Sequence, residues 1–436
     1  MLLIYTSALT PRLEYIFSLL LEEMLGLKIK LTNNQQDFKE FSGAKFSYSK
    51  EPEPGQLFIE AVNFLFETGV ARQSIKVHRW ENLPIVFQTT NPASLLPFDP
   101  FAAAFYMVSR YEEYEAGHHD KYGRFPAVES IASHGKFLEI PIVHYWARKL
   151  ESVLQSHFPE LSFSHRSYCY VPTIDIDHAY AFRYRSLVRT LGGIGRTFFH
   201  GHFQDLLLRM RVLAGKTPDP YDNYEYLQKL NEAHSLKPLF FILFADYGGK
   251  DNNIPVTHPA LLRLVRNLDK YQGVGIHPSL SSNKHYSKLE SEIKNLTAVL
   301  NRKITRSRQH FLKLSLPKTY QGLIKAGIQE DYSMGYASHP GFRAGIAMPF
   351  RFFDLSKNQV TALIIHPVIL MDVTLKDYLR LTPEKSLQKI EQMIAIVKSV
   401  NGEFVSLWHN ESLGETGRWK GWRIVYEKLV KMAKTN

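Results

Sequence analysis

The chain has 436 residues, a length that suggests two or three domains at about 150 residues each. Its 44% hydrophobic and 22% charged residues are typical of a packed globular protein and exclude disorder as the state of the whole chain. No apolar run approaches the ~20 residues needed to cross a bilayer. The single cysteine, Cys169, excludes an internal disulfide and a cysteine-rich metal site. We expect a cytoplasmic protein, since residues 1–5 also lack the basic segment of a secretory signal.

Basic residues outnumber acidic ones by 53 to 42, which gives a net charge of +11. A surplus of this size bears on partners rather than on the fold, and nucleic acid, an anionic membrane surface or an acidic substrate would all suit it. A basic protein with none of these partners is equally compatible with the number. No groove-reading or base-stacking motif accompanies the charge, so we predict that nucleic acid is not a partner.

The first 165 residues mix strands and helices without a regular alternation. Residues 1–6 and 27–31 have strand patterns, and residues 11–25 have a helical pattern that starts with a proline. A turn-rich patch follows at 51–55, and further helical patterns cover 98–114 and 143–154. We predict an N-terminal domain of α/β or α+β class over residues 1–165 and a second domain over residues 166–436.

From residue 169 onward, apolar runs alternate with amphipathic helical stretches. This repeat predicts a parallel sheet that is buried on both faces. Seven units in about 260 residues fit a closed or nearly closed barrel better than an open sheet. The predicted strands are residues 169–176, 239–245, 274–277, 308–313, 332–337, 362–369 and 404–409. The predicted helices are residues 224–234, 259–268, 289–300, 318–326, 383–400 and 421–432.

Polar side chains stand at the ends of several of these runs, where parallel barrels place their chemistry. The first run ends in Asp175 and Asp177, which share one face because side chains alternate along a strand. Two carboxylates on one face need a metal ion, a shared proton or a basic partner. His277, His310 and His409 stand at equivalent places in other units, and imidazole is a common metal ligand.

Each of these residues also has an ordinary structural interpretation. The acid pair could be a surface cluster or a helix cap, and a lone histidine is more often a satisfied structural residue. Arg308 shares a predicted strand face with His310 and would favour a charged carboxylate nearby. The recurrence of such side chains at the same place in successive units is what indicates a site. Neither a phosphate-binding G-x-x-x-x-G-K-[ST] loop nor an H-E-x-x-H zinc motif is present.

Three segments resemble motifs of the polysaccharide deacetylase family, carbohydrate esterase family four. They are Thr173-Ile174-Asp175-Ile176-Asp177, Gly275-Ile276-His277-Pro278-Ser279 and Leu407-Trp408-His409. The resemblance covers about residues 165–434 and implies a distorted (β/α)7 barrel. It further implies that Asp175 is the general base, that Asp177 and His277 bind a metal ion, and that His409 is the general acid. Arg308, at the place of the third motif, would orient the base.

One position departs from the family pattern. The family usually has a second metal-binding histidine four residues after the first, and Ser281 stands there in this chain. The next histidine, His285, is eight residues after His277. Three interpretations follow: His310 supplies the third ligand from the neighbouring strand, the site is looser and rich in water, or no metal binds.

The resemblance implies a metal-dependent hydrolase that removes an N-acetyl group from a sugar or polysaccharide intermediate. Zinc suits a site of histidine and aspartate, and cobalt, manganese or iron would also fit. The residues that we predict to bind substrate are Asp331, Tyr332, Arg343 and Trp408. Simple packing would equally explain the two aromatic residues. The alternative function is a catalytically inactive barrel that binds glycan or acts as a scaffold, which Ser281 favours.

The first ~160 residues resemble an accessory domain that precedes deacetylase barrels in bacterial polysaccharide-biosynthesis proteins. The segments that carry this likeness are Phe98-Asp99-Pro100-Phe101, Ser109-Arg110-Tyr111-Glu112-Glu113 and Gly123-Arg124-Phe125. The resemblance implies no particular function for this domain.

Residues 183–216 combine seven basic residues with the single acid Asp205, and aromatic and aliphatic residues are interleaved with them. An interfacial helix uses this mixture to lie on an anionic leaflet. We predict that this segment brings the site to the cytoplasmic face of a membrane, as a peripheral association. The alternative is a helical hairpin that packs on the barrel with its arginines in solvent.

Overall fold

The computed structural model describes residues 1–52, 56–115, 117–200, 203–271 and 273–434. Within these ranges the strands are β1 (Leu2–Thr6), β2 (Ile29–Thr32), β3 (Lys45–Ser49), β4 (Phe58–Glu60), β5 (His78–Trp80), β6 (Leu83–Ile85), β7 (Cys169–Ile176), β8 (Leu239–Ile242), β9 (Val274–Ile276), β10 (Arg306–Ser307), β11 (Glu330–Asp331), β12 (Phe350–Asp354), β13 (Gln359–Ile365), β14 (Val368–Met371) and β15 (Glu403–His409).

The α-helices are α1 (Pro11–Phe17), α2 (Gln35–Glu40), α3 (Pro100–Val108), α4 (Ile131–His134), α5 (Ile142–His157), α6 (Leu187–Phe199), α7 (Phe203–Leu213), α8 (Tyr224–Ala233), α9 (Pro259–Tyr271), α10 (Tyr286–Leu300), α11 (Lys318–Lys325), α12 (Pro383–Ser399) and α13 (Arg423–Ala433). Two π-helical segments, Ser18–Met24 and Thr374–Tyr378, extend helical or turn regions. Single 3₁₀ turns include Tyr111–Glu113 and His310–Leu312.

The N-terminal part contains a four-stranded parallel sheet in the order β2-β1-β3-β4. Helix α3 lies in the core of the N-terminal part. All nine residues of the helix are buried, as expected for a helix that is apolar on every side. Asp99 starts this helix: its Oδ1 accepts from the backbone nitrogens of Phe101 and Ala102 at 3.0 and 2.9 Å. A capping aspartate followed by proline is a strong helix start, which explains why the sequence predicted it.

The C-terminal part is built on a nine-stranded sheet in the order β12-β13-β11-β10-β9-β8-β7-β15-β14. All of these strands run parallel except the edge strand β12, which pairs with β13 in the antiparallel direction. The predicted parallel sheet is therefore confirmed. Helices cover it, as parallel sheets require for burial of both faces.

The sheet is strongly curled. The strands β13 and β14 belong to opposite regions of the sheet, yet only residues 366 and 367 separate them along the chain. Because two residues span at most about 10 Å between their neighbours, the two regions must lie close together. The backbone nitrogen of Val368 also donates to the carbonyl of Met334, beyond the end of β11, at 2.9 Å. The result is a curled half-barrel, and a complete (β/α)7 barrel is not confirmed.

Several predicted strand boundaries are wrong. The run 308–313 is not a strand, because β10 ends at Ser307 and a 3₁₀ turn follows at His310–Leu312. The run 332–337 lies beyond β11, whose two residues precede it. The run 362–369 is interrupted and belongs to two strands, β13 and β14. The edge strand β12 was not predicted. Part of the predicted turn, residues 53–55, lies outside the described residues.

One buried hydrophobic cluster includes side chains from both sheets. Polar contacts also join the two parts: the hydroxyl of Tyr15 donates to the carbonyl of Arg351 at 2.7 Å, and Arg110 donates to the hydroxyl of Tyr336 at 3.1 Å. The predicted domain boundary at residue 165 stays a prediction. Within the described ranges, no helix combines the length and apolar character that crossing a membrane requires.

Candidate metal centre

Three predicted ligands meet at the carboxyl end of the parallel sheet. Asp177 follows β7, His277 follows β9, and His310 follows β10, so all three approach from neighbouring parts of the same edge. Their ligand atoms lie within 4.8 Å of one another. Nε2 of His277 is 3.2 Å from Oδ1 of Asp177, and Nε2 of His310 is 3.4 Å from Oδ2 of the same residue.

The hydrogen bonds on the far side of both imidazoles fix which nitrogen faces the cluster. Nδ1 of His277 lies 2.6 Å from the carbonyl of Arg308, which can only accept, so this nitrogen carries the proton. Nδ1 of His310 donates to Oδ1 of Asp251 at 2.8 Å. In each neutral ring Nε2 is then the bare nitrogen, and it points at Asp177. This is how proteins orient histidines that bind a metal ion.

Asp177 supplies a second sign that the cluster suits a cation. Its Oδ1 is buried and accepts no hydrogen bond among the described residues. Burial raises the pKa of Asp177, but the attraction of His310 and His277 outweighs it and holds the pKa well below its usual range. A buried anionic oxygen without a donor, beside two imidazole Nε2 atoms that are bare when the rings are neutral, fits a divalent ion with two nitrogen ligands and one oxygen ligand.

His310 is strongly basic in the metal-free protein. Burial lowers its pKa, but the negative charges of Asp177 and Asp251 outweigh burial and raise the pKa to about 9. Both carboxylates are within hydrogen-bonding or ion-pairing distance, at 3.4 and 2.8 Å. A cation that binds here must therefore displace a proton from His310 near neutral pH.

Asp175 lies beside the cluster and is held by Arg308. Nη1 of Arg308 donates to Oδ1 of Asp175 at 2.9 Å and to Oγ1 of Thr173 at 2.6 Å. Nε of the same guanidinium donates to the carbonyl of Tyr332 at 2.8 Å. Oδ2 of Asp175 lies 3.7 Å from Nε2 of His277. Asp175 thus has one oxygen fixed by Arg308 and the other turned toward the predicted ligands.

His409 faces the cluster from the next strand. Its Nδ1 is 2.8 Å from Oδ1 of Asp372, whose Oδ2 accepts from the backbone nitrogen of His409 at 2.8 Å. Its Nε2 is 3.9 Å from Oδ2 of Asp177. Burial lowers the pKa of His409, but Asp372 and then Asp177 and Asp175 outweigh it and raise the pKa to about 10. These carboxylates therefore favour the protonated form of the His409 imidazole, whose Nε2 faces the same space.

Asp251 and Asp372 were missed from the sequence. Asp372 directly follows β14, at a strand end like the other site residues. The apolar run 362–369 conceals it, because that run contains the end of β13 and the start of β14. Asp251 lies in the long connection after β8 and carries no local signal. Both are buried: Asp251 is 5% exposed and Asp372 is 0% exposed. Each carboxylate lies within hydrogen-bonding distance of the Nδ1 atom of a histidine.

Ser281 does not take part in the cluster. Its Oγ lies 3.0 Å from Oγ of Ser279 and accepts from Nζ of Lys288 at 3.4 Å. It lines a cleft of about 720 Å³, together with His285 and Asp251. The ligand atom of His310 lies within 4.8 Å of those of Asp177 and His277, so the three residues form a candidate metal site without residue 281, and His310 as the third ligand stays a prediction. His310 reaches this site through a turn rather than a strand, because β10 ends before Arg308.

The four residues predicted to bind substrate are all buried, at no more than 3% exposure: Asp331, Tyr332, Arg343 and Trp408. Asp331 accepts from Oγ of Ser307 and Oγ of Ser333, at 2.7 and 2.9 Å. Arg343 donates through Nε and Nη2 to the carboxylate of Glu113, at 2.8 and 2.6 Å. These partners give Asp331 and Arg343 structural roles, and a contact of any of the four residues with substrate stays a prediction.

The described chain resembles several known proteins in part. Residues 2–159 match a family of unknown function (DUF7033). No curated protein sequence matches the chain.

Among solved structures, a protein assigned as a polysaccharide deacetylase from Mycobacterium smegmatis is similar at a TM-score of 0.41 and 14% identity, over 62% of this chain and 84% of that one. Another protein with the same assignment, from Pseudomonas aeruginosa PAO1, is similar at a TM-score of 0.39 and 10% identity, over 69% and 90%. The allantoinase Puue is similar at a TM-score of 0.40 and 8% identity, over 61% and 84%.

Proposed function

We propose that this protein is a metal-dependent hydrolase that removes an N-acetyl group from a sugar or polysaccharide intermediate. The observation that carries the proposal is the arrangement at the sheet edge: an Asp-His-His set of ligand atoms within 4.8 Å, with a carboxylate on one side and a protonated histidine on the other. Amide hydrolysis needs an activated water and a proton for the leaving amine, and these groups supply both.

Asp177, His277 and His310 would hold the divalent ion, whose chemistry would be to lower the pKa of a water and to polarise the acetyl carbonyl. Asp175 is the general base in this proposal. Arg308 fixes Oδ1 and leaves Oδ2 to accept the proton of the attacking water. The two-residue spacing from Asp177 keeps Asp175 on the same face of β7, beside the ligand cluster.

His409 is the general acid. The charge of Asp372 favours a proton on this ring, and Nε2 is the ring nitrogen placed to deliver it, because Nδ1 is bound to Asp372. The carboxylate of Asp372 also fixes the orientation of the ring, as the third member of such arrangements commonly does. Delivery of the proton to the leaving nitrogen completes the cleavage of the amide bond.

The alternative, a catalytically inactive scaffold, rested on the serine at position 281. The position of His310 weakens that basis, since three ligand side chains come together without residue 281. The two functions differ in a direct measurement: a hydrolase binds a divalent ion and releases acetate from N-acetylated sugars, and a scaffold releases none. Zinc, cobalt, manganese and iron all suit the donor set, so elemental analysis of the purified protein identifies the ion.

Variants then test the roles. We expect Asp175→Asn to keep its metal content and to lower the rate of acetate release by about 10²–10⁴, the usual effect of losing a general base. His277→Ala and His310→Ala should both lower metal content, whereas His165→Ala, which removes an exposed histidine paired with Glu151, should not. A metal-free wild-type protein, or an Asp175→Asn variant of wild-type activity, would overturn the proposal.

A further inference from the structure

The helices α6 and α7 form a hairpin that exposes large apolar side chains. Nine of them are between 40% and 86% exposed: Leu187, Val188, Leu191, Phe198, Phe199, Phe203, Leu207, Met210 and Leu213. The spacings 187, 191 and 198 in α6 and 203, 207 and 210 in α7 place these side chains on one face of each helix. A continuous apolar surface of this kind marks a site of interaction rather than ordinary surface.

The same hairpin carries uncompensated positive charge. None of the basic residues of 183–216 whose side chains the structure describes forms an ion pair, and Asp205 is the only acid in the segment. Arg211 and Lys216 are exposed. The pKa of Arg185 is lowered by burial and then by repulsion from Arg189 and Arg209, which shows how closely the cations are grouped.

The root of the hairpin is fixed beside the candidate metal centre. Arg189 donates to the carbonyls of Asn252 and Asn253 at 2.8 and 3.1 Å, in the loop that also supplies Asp251. The carboxylate of Asp219 accepts from three successive backbone nitrogens, those of residues 181–183, at 2.7 to 3.0 Å. The segment therefore leaves the body of the protein at the edge that holds His310.

We propose that the hairpin docks on an anionic lipid surface, with its apolar face in the boundary between headgroups and acyl chains and its cations against the headgroups. Charge complementarity selects this occupant. A second copy of the chain would bring an equally positive hairpin against the first, and like charges oppose such an interface. A lipid surface supplies apolar depth and negative charge together, which is what amphipathic basic helices bind.

The test is sedimentation of the full chain with vesicles of neutral phosphatidylcholine and with vesicles that also contain phosphatidylglycerol. We expect binding to the anionic vesicles that weakens with added salt. Removing three exposed apolar side chains (Leu187→Ser, Phe199→Ser and Phe203→Ser) should weaken binding roughly 100-fold. A matched control changes Val128→Ser and Val360→Ser, which are 55% and 46% exposed elsewhere, and should bind as the wild type does.

A charge variant separates the two contributions. Arg211→Ser with Lys216→Ser should weaken binding to anionic vesicles roughly 30-fold, and Lys28→Ser with Lys30→Ser, exposed in the N-terminal part, should not. Equal binding to neutral and anionic vesicles, or no binding to either, would overturn the proposal. So would a dimer that forms without vesicles and is lost in the apolar variant, since that outcome makes a second copy the occupant.

An independent observation concerns a loop of the N-terminal part, residues 120–126. Arg124 is 8% exposed and is held by Asp120, whose Oδ2 accepts from its Nε at 2.6 Å. Oδ1 of Asp120 accepts from the backbone nitrogens of Tyr122 and Arg124, both at 2.9 Å. Asp120 thus closes the loop and holds the Arg124 guanidinium in place.

This loop contacts the turn that carries the candidate ligand His310. Nη1 of Arg124 donates to the carbonyl of Phe311 at 3.1 Å, and its Nη2 donates to the hydroxyl of Tyr378 at 3.1 Å. The ring of Tyr122 stacks on Phe311 with centroids 4.8 Å apart and planes 19° apart. The ring of Phe311 in turn lies 4.3 Å from that of His310.

The turn needs such support. Phe311 and Leu312 have φ values of 62° and 53°, two successive left-handed residues that carry side chains. This conformation is unfavourable for both and persists only where surrounding contacts enforce it. Phe311 receives those contacts from Arg124 and Tyr122, which lie almost two hundred residues away along the chain.

We infer that Tyr122 and Arg124 are positioning residues for His310, so that the N-terminal part completes the metal centre. This inference rests on the proposed function. Arg124→Gln and Tyr122→Ala should each weaken divalent metal binding by about 10–100-fold, the usual effect of losing a group that orients a ligand. Tyr122→Phe keeps the stacked ring and should restore wild-type affinity, since no hydrogen bond of the Tyr122 hydroxyl occurs among the described residues.

The measurements are the metal dissociation constant, by competition with a chelator, and the visible spectrum of the cobalt-loaded protein. Arg148→Gln is the matched control, because Arg148 also joins the two parts through a carbonyl, that of Ser399, away from the cluster. Unchanged affinity in Arg124→Gln and Tyr122→Ala, or equal weakening in Arg148→Gln, would overturn the inference alone. A wild-type protein that binds no divalent ion would overturn the proposed function and this inference together.

Discussion

Asp251 is, after Asp177, the second carboxylate that raises the pKa of His310, so replacing it should change how metal affinity depends on pH. Oδ1 of Asp251 accepts from Nδ1 of His310 at 2.8 Å and from the backbone nitrogen of Leu280 at 3.0 Å. In Asp251→Asn the amide oxygen can keep both hydrogen bonds, while the negative charge is lost. The substitution therefore removes one of the two charges that raise the pKa of His310 and disturbs little else.

The magnitude follows from the pKa of about 9 for His310. With this pKa, His310 is deprotonated and able to bind a cation in about 1% of the molecules at pH 7 and in about half of them at pH 9. The affinity of the wild-type protein should therefore be roughly 50-fold higher at pH 9 than at pH 7. Because the pKa of His310 falls in Asp251→Asn, more of the ring is free at pH 7, and the ratio between the two affinities should become smaller.

Competition with a chelator of known pH dependence measures both affinities. Asp269→Asn is the control, since Asp269 is paired with Arg302 on the surface and should leave the wild-type ratio unchanged. An Asp251→Asn variant with the full wild-type ratio would refute the reasoning. A wild-type affinity that does not change with pH would refute it as well, because the proton on His310 would then not compete with the metal.

Three further variants test other parts of the structure. Asp372→Asn should lower the pKa of His409, so the alkaline limit of the pH–rate profile should move to lower pH; a limit that stays in place would contradict the role of His409 as general acid. Glu113→Gln leaves the buried charge of Arg343 without its partner and should lower the free energy of unfolding by about 3–5 kcal/mol in a denaturant titration, and a loss below 1 kcal/mol would contradict this. Asp99 accepts hydrogen bonds from the Tyr48 hydroxyl and the Val62 backbone nitrogen, and in Asp99→Asn an amide N–H would face donors of this kind. The substitution should therefore lower the free energy of unfolding by about 1–3 kcal/mol. An unchanged midpoint of the denaturant titration would count against the buried cap.

The sequence was informative where the signal is local. Alternation along β7 placed Asp175 and Asp177 on one face, and the apolar run before each residue placed His277 and His409 at strand ends. Strand boundaries were less predictable where strands are very short: β10 and β11 have two residues each, too few for alternation to appear. His310 was identified for the wrong local reason, since a left-handed turn carries it to the cluster and no strand does.

By itself, then, the sequence determined the parallel sheet, the edge at which the polar residues collect and most of the candidate ligands, because burial and side-chain alternation are properties of neighbouring residues. The partners that set the chemistry were decided only by the tertiary structure. Asp251 meets His310 across 59 residues of chain, and Asp372 meets His409 across 37. Such contacts depend on how the sheet curls and where its connections return, and no short window of sequence contains that information.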